Sequence, residues 1–315
     1  MGANSKDPYA WGRQVAVAGA YAACYELTRN ISFSHWMLPA GLRLACLMLV
    51  PRRYWAALAV GEMLPIAEMA ALHAAAFGYL WAAIVSFPPI ALCMPAVAWL
   101  RERYGLFRKD GQVHMGMILV ATMVCAVINV GANAAALANV SLADGSPAPE
   151  VAVPLLLAWF LGAYLGALSL TPTILALRER LADQPEGIAT VSAVWHSPLF
   201  RDALFIAVPS LALLMGMASQ LEAGPALQFA RMAMALPVVA LTLRHGWHGT
   251  AIGGMLASVA MASTSFELRD PSMIQAQVVL AFVISTSLLF GLRVARRIAA
   301  ARPLMAHATP HHHHH

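Results

Sequence analysis

Apolar runs of about 20 residues, each closed by charged or turn-forming residues, follow one another along almost the whole chain. A helix of that length rises far enough to cross the hydrocarbon core of a bilayer. Between polar breaks there are ten such runs, at about 12–28, 34–50, 55–73, 80–100, 113–139, 151–177, 202–220, 226–243, 248–265 and 273–292. The expected fold is therefore an all-α integral membrane protein with about ten transmembrane helices. Composition agrees: 60% of the residues are hydrophobic and 11% charged, where a soluble domain carries about 25% charged residues.

Lysine and arginine set the orientation, because short cytoplasmic loops collect them. With the N-terminus inside, the cytoplasmic segments hold Lys6 and Arg13; Arg52 and Arg53; Arg101, Arg103, Arg108 and Lys109; Arg178, Arg180 and Arg201; Arg244; and Arg293, Arg296, Arg297 and Arg302. The other side receives only Arg29 and Arg269, while Arg43 and Arg231 fall inside spans. Both termini are thus expected in the cytoplasm, with the chain crossing the membrane many times. The isoelectric point near 9.3 reflects these topology signals, so nucleic-acid binding is not expected. A cleavable signal peptide is not expected either, since the start is polar and Arg13 precedes the first apolar run. The run His311 to His315 resembles a purification tag, giving an expected membrane domain at 1–302 and a linker and tag at 303–315.

Charges inside a bilayer cost a few kcal/mol each, so they face partners or serve function. Arg43 lies about seven residues from the inner end of the second span, and Glu62 about seven from the inner start of the third. The turn between them is short, which predicts an Arg43–Glu62 ion pair as a structural latch. By the same depth arithmetic Glu26, Glu68, Asn129, Asn133 and Arg231, with Trp36 at the interface, map towards the outer leaflet. Two readings stand open for these six residues: a cavity for a small polar ligand or partner membrane protein, or polar groups that join helices.

Gly162-xxx-Gly166 and Gly131 predict close helix approach. Pro88, Pro89, Pro95, Pro172, Pro209 and Pro237 predict kinks within spans. Cys24, Cys46, Cys93 and Cys125 are scattered singly, without zinc or redox spacing. Only His35 and His73 approach a haem-like arrangement of facing imidazoles, and no hydrolase, P-loop or dinucleotide motif occurs. No cofactor, metal or catalytic residue is therefore expected.

Shifting the chain by about 192 positions aligns Arg52, Trp55, Ala59, Gly61, Met63, Leu64, Met69 and Ala70 with Arg244, Trp247, Ala251, Gly253, Met255, Leu256, Met261 and Ala262. Two parallel four-helix repeats, spans 1–4 and 7–10 with spans 5–6 between, would explain this; so would chance matching in a chain rich in alanine and leucine. Three motifs occur in a distinctive order: Trp36-Met-Leu-Pro39-Ala-Gly41 followed by Pro51-Arg52-Arg53-Tyr54-Trp55; Trp159-Phe-Leu-Gly162-Ala-Tyr-Leu-Gly166; and Arg244-His-Gly-Trp247-His-Gly249. In this order they resemble the MASE1 family of membrane sensor domains, which precede bacterial histidine kinases and diguanylate cyclases. The likeness runs to about Arg297. Many relatives carry an acidic residue just after the position of Gly162; Ala163 stands there here.

The resemblance implies a sensory input module, with a cytoplasmic effector attached after the last span and a homodimer in the full-length protein. The last span continues through Arg293, Arg296 and Arg297 as a candidate output helix, which Pro303 is expected to end. The rival expectation is a secondary transporter of a small polar solute, although no pair of half-helices interrupted by glycine runs is evident.

Overall fold

The computed structural model describes residues 9–33, 35–109, 111–182, 196–265 and 270–307. Lys6, Arg269 and the terminal histidine run lie outside them. Among the described residues the regular structure is helical: α1 Ala10–Asn30, α2 Leu38–Leu49, α3 Trp55–Phe77, α4 Tyr79–Val85, α5 Pro89–Tyr104, α6 Met115–Ala138 and α7 Val153–Ala182. There follow α8 Pro198–Asp202, which passes through a π turn at Ala203–Ala207 into α9 Val208–Gln220, then α10 Pro225–Ala233, α11 Leu236–His245, α12 Trp247–Ala262 and α13 Pro271–His307.

Helix occupies every one of the ten apolar intervals, but the crossings are fewer than that by length and composition. Among the described residues seven helical stretches qualify: Arg52–Phe77, Tyr79–Tyr104, Met115–Ala138, Val153–Ala182, Pro198–Gln220, Pro225–His245 and Pro271–Ile298. Three of the ten expected spans fall outside these seven. Helix α1 is long enough, but Arg13, Glu26 and Arg29 lower its hydropathy. Helix α2, with 12 residues, rises only about 18 Å, and α12, with 16, about 24 Å, against a core of about 30 Å. Both are sheltered by other helices: nine residues of α2 and eleven of α12 are buried. A helix surrounded by protein need not match the thickness of the lipid.

The chain forms two compact units, divided within α7 between Thr171 and Pro172. This division differs from the grouping of spans 1–4, 5–6 and 7–10, because α6 and the first part of α7 belong with the earlier helices.

In the first unit α2 is held against α7 by backbone contact. Gly162 carbonyl accepts from the Met37 N–H at 3.0 Å, Thr171 Oγ1 donates to the Gly41 carbonyl at 3.0 Å, and Trp36 Nε1 donates to Ser169 Oγ at 2.7 Å. The glycines of Gly162-xxx-Gly166 thus act as the sequence suggests. Gly131 does not: a Cβ there would meet nothing within 4 Å. Its place on the helix surface, rather than any change in the chain, makes the difference. The Pro51–Trp55 segment is a tight turn in which Trp55 lies 5.6 Å from the Arg52 guanidinium and 5.7 Å from that of Arg101, while Arg52 also pairs with Glu102. Arg101 Nη1 donates to the Leu47 and Val50 carbonyls at 2.7 and 3.1 Å, closing the exposed end of α2.

In the second unit α12 packs between α11 and α13. Gly246, at φ +65°, makes the turn from α11, and a Cβ on Gly291 of α13 would lie 2.5 Å from the Trp247 nitrogen. His245 and Arg244 flank this turn and reach Asp202 at 2.7 and 3.3 Å, and His248 reaches Glu179 at 2.8 Å.

Candidate functional site

The first unit encloses a polar network at Glu62. Its carboxylate is fully buried, at 0% exposure, and α3 presents it towards α2. Arg43, at the middle of α2, donates from Nη2 to Glu62 Oε1 at 2.7 Å and from Nε to Oε1 and Oε2 at 3.1 and 3.3 Å. The side-on fork gives the pair two oxygen contacts in a site closed to bulk solvent. Tyr21 of α1 donates its hydroxyl to Oε2 at 2.8 Å. Arg43 Nη1 donates to Asn129 Oδ1 of α6 at 3.4 Å.

A fifth contact comes from backbone. Helices α4 and α5 are parts of one apolar stretch broken at Ser86–Pro88, and the first free N–H of α5, on Ile90, donates to Glu62 Oε1 at 3.3 Å. Pro88 and Pro89 cannot donate, and helix N-termini carry a partial positive charge. The proline pair, read in the sequence as a kink, instead starts a new helix whose N-terminus meets a carboxylate. One cation, one partial cation and one hydroxyl therefore converge on Glu62 from three elements, α2, α5 and α1. Such satisfaction is what allows a charge to remain in a low-dielectric interior.

The residues expected to share an outer site occupy different settings. Asn129 belongs to the Arg43 network. Trp36 is buried and bonded to Ser169. Glu26 and Glu68 line a groove of about 520 Å³ between α1 and α3, with Ala22, Ala23, Leu64 and Pro65, and Glu26 lies 3.5 Å from Arg29. Asn133 is half-buried on α6. Arg231 belongs to the second unit, where Nε donates to Thr264 Oγ1 at 3.1 Å, Nη2 to the Thr264 carbonyl at 3.0 Å and Nη1 to Ser272 Oγ at 2.5 Å. Within the first unit Asn129 and Trp36 bond to Arg43 and Ser169 and do not line the Glu26–Glu68 groove. Arg293, Arg296 and Arg297 are exposed along α13, which continues to His307 through Pro303 rather than ending there. A proline removes one donor from the ladder without undoing the turns on either side.

Sequence reading missed Tyr21, whose spacing resembles that of any interfacial aromatic, and the Ile90 N–H, which no side-chain pattern marks. Histidines without evident partners in the sequence find local ones. His114 Nδ1 accepts from the Met117 N–H at 3.1 Å as the cap of α6, and His73 Nδ1 lies 2.8 Å from the Met69 carbonyl. Among the described residues no group of three or more His, Cys, Asp or Glu is placed to hold a metal ion. Tyr21→Phe removes one donor from a charged acceptor and is expected to lower stability by about 1.5–3 kcal/mol. Melting of the two proteins in one detergent measures this, and identical curves would assign the hydroxyl no share.

Seven long apolar helices and a buried ionic network define a polytopic helical membrane protein. The MASE1 family model matches residues 12–298, nearly the whole chain, so the chain belongs to the MASE1 family, and its helices fit a membrane-embedded sensory module. No curated protein and no solved structure matches it.

Proposed function

We propose that residues 1–302 form the input domain of a bacterial sensor in the inner membrane, detecting a small ligand or partner membrane protein and passing the signal through α13 to a cytoplasmic histidine kinase or diguanylate cyclase. Family membership supports the input role. The observation that carries the route is α13 itself: 37 residues of unbroken helix rise about 55 Å, well beyond a hydrocarbon core of about 30 Å. A helix continuous from membrane to cytoplasm transmits displacement or rotation without a hinge. The reading also takes α1, α2 and α12 as additional crossings, which gives ten in all and places both termini in the cytoplasm, in keeping with the Lys/Arg distribution. Two full-length copies pair through their effectors.

On this reading the Arg43–Glu62 network is the latch that ties α1, α2, α3, α5 and α6, and a stimulus acts by favouring one arrangement of those helices. Glu26 and Glu68 line the groove nearest to it on the α1–α3 face and are the residues by which a cationic or hydrogen-bonding stimulus would approach. Replacing residues 293–303 by a Gly/Ser linker in the full-length protein is expected to abolish stimulus-dependent effector activity while leaving expression intact. Retained stimulus dependence would exclude α13 as the route.

A secondary transporter is the second reading, favoured by one specific observation, the α4–α5 break whose helix N-terminus addresses Glu62. Solute flux into proteoliposomes separates the two readings, since a sensor passes none.

A further inference from the structure

In the second unit α11 and α13 lie side by side and leave a groove of about 320 Å³, lined by Val239, Thr242, Leu243, Thr286, Ser287 and Phe290. Its rim is apolar and open, with Val239, Leu243 and Phe290 exposed at 38%, 60% and 54%. The threonine hydroxyls do not make it polar. Thr242 Oγ1 donates to the Val238 carbonyl at 2.7 Å and Thr286 Oγ1 to that of Phe282 at 2.8 Å, which satisfies both within their own helices. Apart from the Ser287 hydroxyl, what the groove offers to an occupant is hydrocarbon.

One end of the same groove is cationic. Arg293 and Arg297 follow Phe290 on α13 by three and seven residues, the spacing of one helix face, and both are exposed. They lie about 4.5 and 10 Å further along the axis. Arg244 ends α11 beside Leu243; it reaches Asp202 at 3.3 Å through Nε, yet its side chain remains 55% exposed. An apolar furrow that ends in three guanidinium groups has the polarity of an amphiphile with a negative head.

We infer that this groove seats one anionic phospholipid, with an acyl chain along Val239, Leu243 and Phe290 and its phosphate at Arg244, Arg293 and Arg297. Guanidinium groups match phosphate geometry, and arginines at the end of a membrane helix attract anionic lipids. A second copy of the chain fits less well. Two parallel α13 helices meeting along this stripe would bring Arg293 and Arg297 of both copies to the same depth, where like charges repel. A free anion would have no use for the hydrocarbon furrow. Because the seat bridges α11 and α13, the lipid stabilises the arrangement in which those helices leave this groove between them. The inference depends only on membrane embedding, so it stands or falls separately from the signalling proposal.

The test compares the protein in nanodiscs of phosphatidylcholine alone and of phosphatidylcholine with phosphatidylglycerol, with bound lipid counted by native mass spectrometry. Phosphatidylglycerol is expected to be retained as a single adduct and to raise the melting temperature, as a ligand selective for the folded state does. The double variant Arg293→Gln/Arg297→Gln is expected to retain it roughly thirtyfold more weakly. Thr286→Trp fills the groove without touching a charge and is expected to lose the adduct as well. Equal retention of both lipids, or wild-type retention by either variant, would overturn the proposal. So would equal stabilisation by soluble glycerol phosphate, which marks a free-anion site, or a dimer in phosphatidylcholine that Thr286→Trp dissociates, which marks a self-interface.

Discussion

Glu62→Gln is expected to destabilise the protein by about 3–5 kcal/mol, the usual consequence of removing one partner from a buried ion pair. The amide keeps the shape of the carboxylate, but its single oxygen can accept at only one of the two positions, from the Tyr21 hydroxyl, 2.8 Å from Oε2, or from the Ile90 N–H, 3.3 Å from Oε1. What it cannot do is neutralise Arg43, which is 4% exposed and otherwise reaches the uncharged Asn129, at 3.4 Å. The expected loss therefore comes from an uncompensated guanidinium and not from packing. Arg43→Met combined with Glu62→Gln removes that charge and is expected to recover more than half of the loss. Melting curves of the wild type, both single variants and the double variant in one detergent complete the cycle. Additive effects of the two substitutions would mean that Arg43 and Glu62 do not interact as the structure has them. The same four proteins, fused to an active effector, ask whether the pair is more than a latch: if the double variant folds yet no longer responds, the network takes part in the signal.

The helices of the fold were legible because bilayer thickness imposes a length on apolar runs, and helix fills each of the ten intervals. The number of crossings was less legible. Hydropathy reports that α2 and α12 are apolar, but only packing reveals that they are short and enclosed by other helices. The site follows the same division. Arg43 and Glu62 could be paired on paper since each lies about seven residues from a shared turn, so errors in placing the membrane surface cancel between them. Asn129 had no such reference. Its depth was measured on α6 and that of Arg43 from the end of α2, yet α2 is buried and its ends do not mark the membrane surfaces, so the two residues were placed in different layers although their side chains meet. Tyr21 and the Ile90 N–H were hidden for another reason: the chemistry of a hydroxyl or a backbone donor depends on what faces it, and nothing in the local sequence encodes that.

Two glycines with the same local appearance should respond in opposite ways to the smallest substitution. A Cβ on Gly166 would run into the Met37 carbonyl oxygen, which is backbone and can move only with α2. The contact is reciprocal, because a Cβ on Gly41 would lie 2.5 Å from the Gly166 carbonyl and 2.6 Å from Leu170 Cβ. Gly166→Ala must therefore push α2 away from α7. That movement strains the bonds from Met37 to Gly162, from Trp36 to Ser169 and from Thr171 to Gly41, all between 2.7 and 3.0 Å. Since α2 also carries Arg43, the displacement reaches the ion pair. A loss of about 3 kcal/mol is expected, the upper part of the usual range for overpacking. Gly131→Ala meets nothing within 4 Å and should gain from helix propensity, by up to about 1 kcal/mol. Melting both variants beside the wild type decides the matter. If Gly166→Ala melts with the wild type, α2 and α7 are not in backbone contact, and the seating of Arg43 beside Glu62 needs another explanation.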